Sequence, residues 1–115
     1  MIALVLALAA PDQLDRCLDT GEAARGVTSA MSACFVADYR RADVRLNDVY
    51  RSTMKRLPAA RRVALRTSQR AWLIQRDRAC PLDTSEGAGT IEMSNHPACL
   101  AKQTRRRITW LTRFR

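Results

Sequence analysis

Residues 29–57 read SAMSACFVADYRRADVRLNDVYRSTMKRL, with no glycine or proline. Phe35, Tyr39, Ala42, Leu46, Val49, Thr53 and Leu57 recur there at steps of three and four, and Met31, Val36, Tyr50 and Met54 widen the stripe. This is the period of an amphipathic helix, about 40 Å long at the usual rise. Thr28 or Ser29 offers its N-cap. Pro58 breaks it and can open the first turn of a second helix, predicted over Pro58–Ala79. The apolar residues of that helix are sparser (Val63, Leu65, Ala71, Trp72, Ile74, Ala79), with Leu65, Ser68, Trp72 and Ala79 on one side.

Working outward, Pro81–Pro97 reads as a loop carrying Gly87, Gly89 and the acidic residues Asp83, Glu86 and Glu92. It is long for a compact domain. Ser94 or Asn95 can cap a last helix over Ala98–Phe114, with Leu100, Thr104, Ile108 and Leu111 facing inward. Upstream, Pro11–Ala24 forms a short helix or arm around Cys17. The expected fold is all-α: a small antiparallel bundle of three main helices plus an N-terminal arm.

Composition agrees. The chain has 115 residues, 20 basic against 11 acidic, and a formal charge of +9. Four glycines and four prolines are too few for the turns of an all-β protein. This length suits one domain with a thin core that gains from covalent help. Met1–Ala10, MIALVLALAA, is too short to span a bilayer, which needs about 20 apolar residues. It has the length of a signal-peptide core, and Ala7-Leu8-Ala9 is a small-x-small cleavage site, although a positive n-region is missing. Residues 1–9 are therefore read as a signal peptide and 10–115 as a single domain, periplasmic or secreted. The polar residues before Cys17 do not form a lipoprotein box.

Cys17, Cys34, Cys80 and Cys99 are an even set in a short exported chain, which implies two disulfides and three possible connectivities. Pairing of sequence neighbours gives Cys17–Cys34 and Cys80–Cys99, each worth about 3 kcal/mol by loop-closure entropy. There is no CxxC and only one histidine, His96, so no metal site is expected. No cofactor motif occurs. Asp38, Asp43 and Asp48 fall at five-residue steps that carry them round the helix surface, and Asp77 sits between two arginines. None of these makes the facing carboxylate pair of a glycosidase, and His96 beside Pro97 belongs to no triad. The chain is read as a non-enzyme.

Two segments say more. Leu46-Asn47-Asp48-Val49-Tyr50 is LNxxY, and Gln69–Cys80 is QRaW-x3-RD-x2-C, followed by distal Cys99 and the basic Thr104–Arg107. In this order and spacing they resemble the LprI-like lysozyme-inhibitor family, a bacterial exported domain. The resemblance covers roughly Cys17 to Leu111, with Gly21–Gly26 as an insertion between the first two cysteines. It implies inhibition of lysozyme or another cell-wall hydrolase by protein–protein binding. Among the motif residues Leu46, Asn47, Tyr50, Gln69, Trp72, Arg76 and Asp77, helical spacing puts Gln69, Trp72 and Arg76 in a row. That row is either a polar-edged seam, with Trp72 against Tyr50 and Arg76 on a carbonyl or carboxylate across the interface, or a ligand-facing groove.

Charge points elsewhere. Over residues 38–78 there are 12 basic and 4 acidic side chains, and 18 of the 20 basic residues are Arg. Such a face suits an anionic partner, so the alternative is a cell-envelope binding module for lipopolysaccharide, cell-wall polymer or an acidic protein through Arg61, Arg62, Arg66 and Arg70. Nucleic acid is disfavoured by the export signal and by the lack of aromatics among the arginines. The common lysozymes are themselves basic, so an inhibitor of this charge needs a local acidic or apolar plug. The stretch holding Asp83, Glu86 and Glu92 is the acidic candidate.

Overall fold

A computed structural model describes residues 12–115; the signal-peptide reading lies outside them. The elements are α1 (Gln13–Leu18), α2 (Gly21–Ala24), α3 (Thr28–Arg56), α4 (Ala59–Ala79) and α5 (Glu92–Arg113). No β-strand occurs among the described residues.

α3 is the predicted long helix, but neither Thr28 nor Ser29 caps it. Val27 holds the N-cap position without a side-chain bond, and Thr28 is already helical. At its end Leu57 turns extended, as a residue before proline prefers. The Pro58 carbonyl then accepts from the amides of Arg61 and Arg62, and Arg62 Nε donates to the Leu57 carbonyl at 2.8 Å. α4 therefore folds back antiparallel to α3. α5 reverses again and runs parallel to α3, which puts Asp38 beside Arg105 and Thr53 beside Leu111.

Both neighbour-paired disulfides are present. Cys17–Cys34 ties α1 to α3, and Cys80–Cys99 ties the end of α4 to α5. Asp12 caps α1 by accepting from the Asp15 amide at 2.8 Å. The Gly21–Gly26 stretch forms the single turn α2, and its two glycines take left-handed backbone.

The last helix starts earlier than its sequence signals suggested, at Glu92 rather than Ala98, with Pro97 inside it and buried. Ser94 and Asn95 are not caps, because the Ile91 carbonyl already accepts from both of their amides. Proline there removes one ladder bond close to the helix start, while Pro97 packs inward and the disulfide at Cys99 holds the turn. The true loop is 81–91.

Leu46, Leu57, Leu65, Ile108 and Leu111 form the buried core, flanked by Val49, Tyr50, Met54, Trp72 and Phe114. Most close backbone approaches between elements join α3 to α5, and few involve α4. The residues explain this. Ala42, Ala101 and Thr104 are small and buried on α3 and α5, whereas α4 meets its neighbours through Leu65 and the bulky Gln69, Trp72 and Arg76. The apolar residues of α4 do not share one inward face: Val63 and Ile74 are more than half exposed, and Ala79 is exposed too.

Candidate binding surfaces

The motif row on α4 joins a chain of alternating rings and guanidinium groups across all three helices. Arg76 lies over Tyr39 and Trp72, at 5.6 and 5.4 Å from the ring centroids. Arg107 lies over Trp72 and Trp110, at 5.5 and 3.8 Å. Trp110 meets Phe114, and Phe114 carries Arg61. Each cation sits on the negative face of a ring, which is how a seam this basic can be packed.

Hydrogen bonds complete the seam. Arg107 Nε donates to Gln69 Oε1 and its Nη2 to Ser68 Oγ, both at 2.9 Å. Burial lowers the pKa of this guanidinium. Arg76 reaches the Asp43 carboxylate across the interface at 3.6 Å and Asp77 at 3.2 Å. Burial raises the Tyr39 phenol above its ordinary value, against the pull of nearby Arg76. Across the interface Arg76 makes an ion pair with a carboxylate but no hydrogen bond, since its buried Nη1 has no hydrogen-bond partner among the described residues. The guanidinium groups of Arg76 and Arg107 lie over the Trp72 ring, Tyr50 borders the α3–α4 groove, and both rings pack against the buried core.

That groove, about 360 Å³, holds the outward part of the motifs: Asn47 and Tyr50 on α3, Arg66 and Arg70 on α4, with Asp43 at one side and Leu46 and Gln69 as its floor. The four arginines assigned to an anionic partner thus divide. Arg66 and Arg70 face this groove, Arg61 bonds the backbone oxygen of Arg115, and Arg62 bonds that of Leu57.

The acidic stretch lies at the other end of α4. Loop 81–91 is pinned at its base by Cys80–Cys99, and Gly87 and Gly89 adopt positive φ, a backbone that side chains with a Cβ avoid. Asp83 accepts from the Ser85 hydroxyl and amide, which hold its carboxyl below the usual range. Glu92 opens α5 and accepts from Asn95 at 3.2 Å, and Glu86 is exposed at the loop tip. Around these acids Leu82, Ile91 and Met93 are 44, 53 and 56% exposed. The hollow beside them is mainly apolar, lined by Val36, Tyr39, Leu82, Met93, Pro97 and Leu100, with Arg40 and His96 at its polar side. Sequence reasoning found the acids and missed these apolar neighbours, since Met93 had been assigned to a loop of unknown course.

Asp38 was also missed. It was expected on the surface, but its side chain is buried, bonded to Arg105 Nη2 at 2.6 Å and near Arg41 at 3.5 Å. Its spacing of four residues from both Cys34 and Ala42, which places it on the same helix face, was the available signal. Among the described residues no cluster of His, Cys, Asp and Glu could hold a metal, and no helix is long and apolar enough to cross a membrane.

The family model described as "Lysozyme inhibitor LprI" matches residues 19–111, which includes both motifs, α2 to α4 and nearly all of α5. The chain is also similar to "Uncharacterized protein R02472" of Rhizobium meliloti (strain 1021), at 33% identity over 95 residues, or 70% of this chain and 68% of the relative. No solved structure matches.

Proposed function

The chain belongs to the LprI lysozyme-inhibitor family, whose members are non-catalytic and typically periplasmic or secreted, and we propose that it inhibits lysozyme or another cell-wall hydrolase by direct protein–protein binding. One observation carries this reading: on a chain of charge +9, the stapled loop and the first turn of α5 together present three acids, Asp83, Glu86 and Glu92, along with the exposed apolar side chains of Leu82, Ile91 and Met93. Apolar centres with a charged rim are what interfaces use for affinity and orientation. A basic enzyme repelled by the arginine faces at long range can still meet this loop, since that repulsion is screened over about 8 Å at physiological salt. The pinned base limits the entropy lost on docking. Residues 1–9 act in this reading as the signal for export, leaving one domain over 10–115.

The test is clearing of a cell-wall suspension by purified lysozyme with the mature protein added. The expected result is stoichiometric inhibition through a 1:1 complex. Neutralising the loop by Asp83→Asn, Glu86→Gln and Glu92→Gln weakens it at least about tenfold. Unchanged hydrolysis at saturating mature protein removes the lysozyme version of the reading.

The charge favours a second reading, a cell-envelope module that binds an anionic partner through its arginines. Arg66 and Arg70, which face the α3–α4 groove, are its candidates on α4.

A further inference from the structure

α3 and α5 enclose a second groove, lined by no residue of α4. It consists of two hollows, about 360 and 400 Å³, that share Arg45. Arg41, Arg45 and Arg105 surround the first over an apolar floor of Ala42 and Ile108. Arg45 and Arg56 bracket the second, with Ser52 and Thr112 between them. From Arg41 to Arg56 the groove follows α3 for about 22 Å at helical rise.

Three of its four arginines are held in place, Arg56 by donating to the Leu111 carbonyl at 3.4 Å. The buried Asp38 carboxylate takes Arg105 at 2.6 Å and Arg41 at 3.5 Å from below. Both guanidinium groups remain about half exposed, with donors to spare. Arg45 has no ion pair among the described residues. The exposed carboxylate along the groove, Asp48, is bonded by Arg51 at 2.8 Å. The result is a line of cations in which Arg41, Arg56 and Arg105 are oriented before any ligand arrives, which lowers the entropy cost of binding.

We propose that this groove binds a linear anionic glycan, with the arginines taking successive carboxylate or phosphate groups and the apolar floor lying against the sugar faces. Guanidinium forks fit both oxyanions in bidentate fashion. The groove holds no aromatic side chain on which bases could stack, which sets nucleic acid aside. Nothing here rests on the inhibitor reading. It places the anionic-partner reading on α3 and α5 instead of α4.

Calorimetric titration with oligogalacturonate and with phosphorylated mannan tests it and separates carboxylate from phosphate as the recognised group. Two charge-matched double variants are compared: Arg41→Gln with Arg45→Gln, which keeps the Asp38–Arg105 pair, and Arg66→Gln with Arg70→Gln on α4. The groove variant is expected to lose at least about tenfold in affinity for one of the glycans and the α4 variant less than about threefold. Amide shifts of the wild-type protein should move along residues 41–56 and 105–112. Equal losses in the two variants overturn the groove, and a larger loss in the α4 variant moves the anionic site to α4. Binding of neither glycan removes the proposal, and tighter binding of duplex DNA of equal charge replaces it.

Discussion

Arg107 is a buried cation that no carboxylate meets among the described residues; its partners are the Gln69 amide oxygen, the Ser68 hydroxyl and two indole rings. Deleting it leaves a buried amide oxygen unpaired, costing about 1–3 kcal/mol, and removes cation–π contacts worth about 0.5–2. Arg107→Ala should therefore lower stability by roughly 2–4 kcal/mol in urea unfolding, whereas Arg106→Ala, at an exposed position, should change it by less than about 0.5. A loss for Arg107→Ala as small as that for Arg106→Ala would show that the seam does not hold α4. The sequence could not single out Arg107 within Arg105-Arg106-Arg107. Three consecutive helical residues point about 100° apart, and only the placement of α4 decides which one turns inward.

At the scale of elements, α4 is the least self-sufficient of the three long helices. Leu65 and Gln69 are its buried residues, and its ends are set by the Leu57–Pro58 turn and by Cys80–Cys99. Both constraints were legible in the sequence: proline punctuates whatever the tertiary context, and neighbouring cysteines favour each other. Replacing Cys80 and Cys99 with serine should cost about 3 kcal/mol. It should also raise hydrogen exchange across loop 81–91 and the last turn of α4 more than in α3. Exchange unchanged in the loop would mean that the disulfide does not order it. The start of α5 was less legible. Pro97 and the small polar residues before it read as loop, and the burial of Ser94 and Pro97 against their neighbours overrode that local preference.

For the whole molecule, 20 basic side chains against 11 acidic ones must be accommodated on a small core. The fold places arginines on rings, on backbone oxygens and on Asp38 and Asp43, and leaves the remainder in solvent. Those exposed charges repel one another over about 30 Å at 0.01 M salt but only about 8 Å at 0.15 M. Thermal stability should accordingly rise over that range. A midpoint that falls with salt would mean that ion pairs outweigh the repulsion. The sequence by itself determined the helical class, the long amphipathic α3, the presence of two disulfides and the family, because periodicity, punctuation and motif spacing are local properties of a chain. Only the tertiary structure decided that Asp38 lies beneath Arg41 and Arg105, that Arg107 is the inward arginine, and that α3 and α5 form the closest pair. These depend on how three helices rotate about their own axes, which is set by small residues packing in one interface and bulky ones in the other.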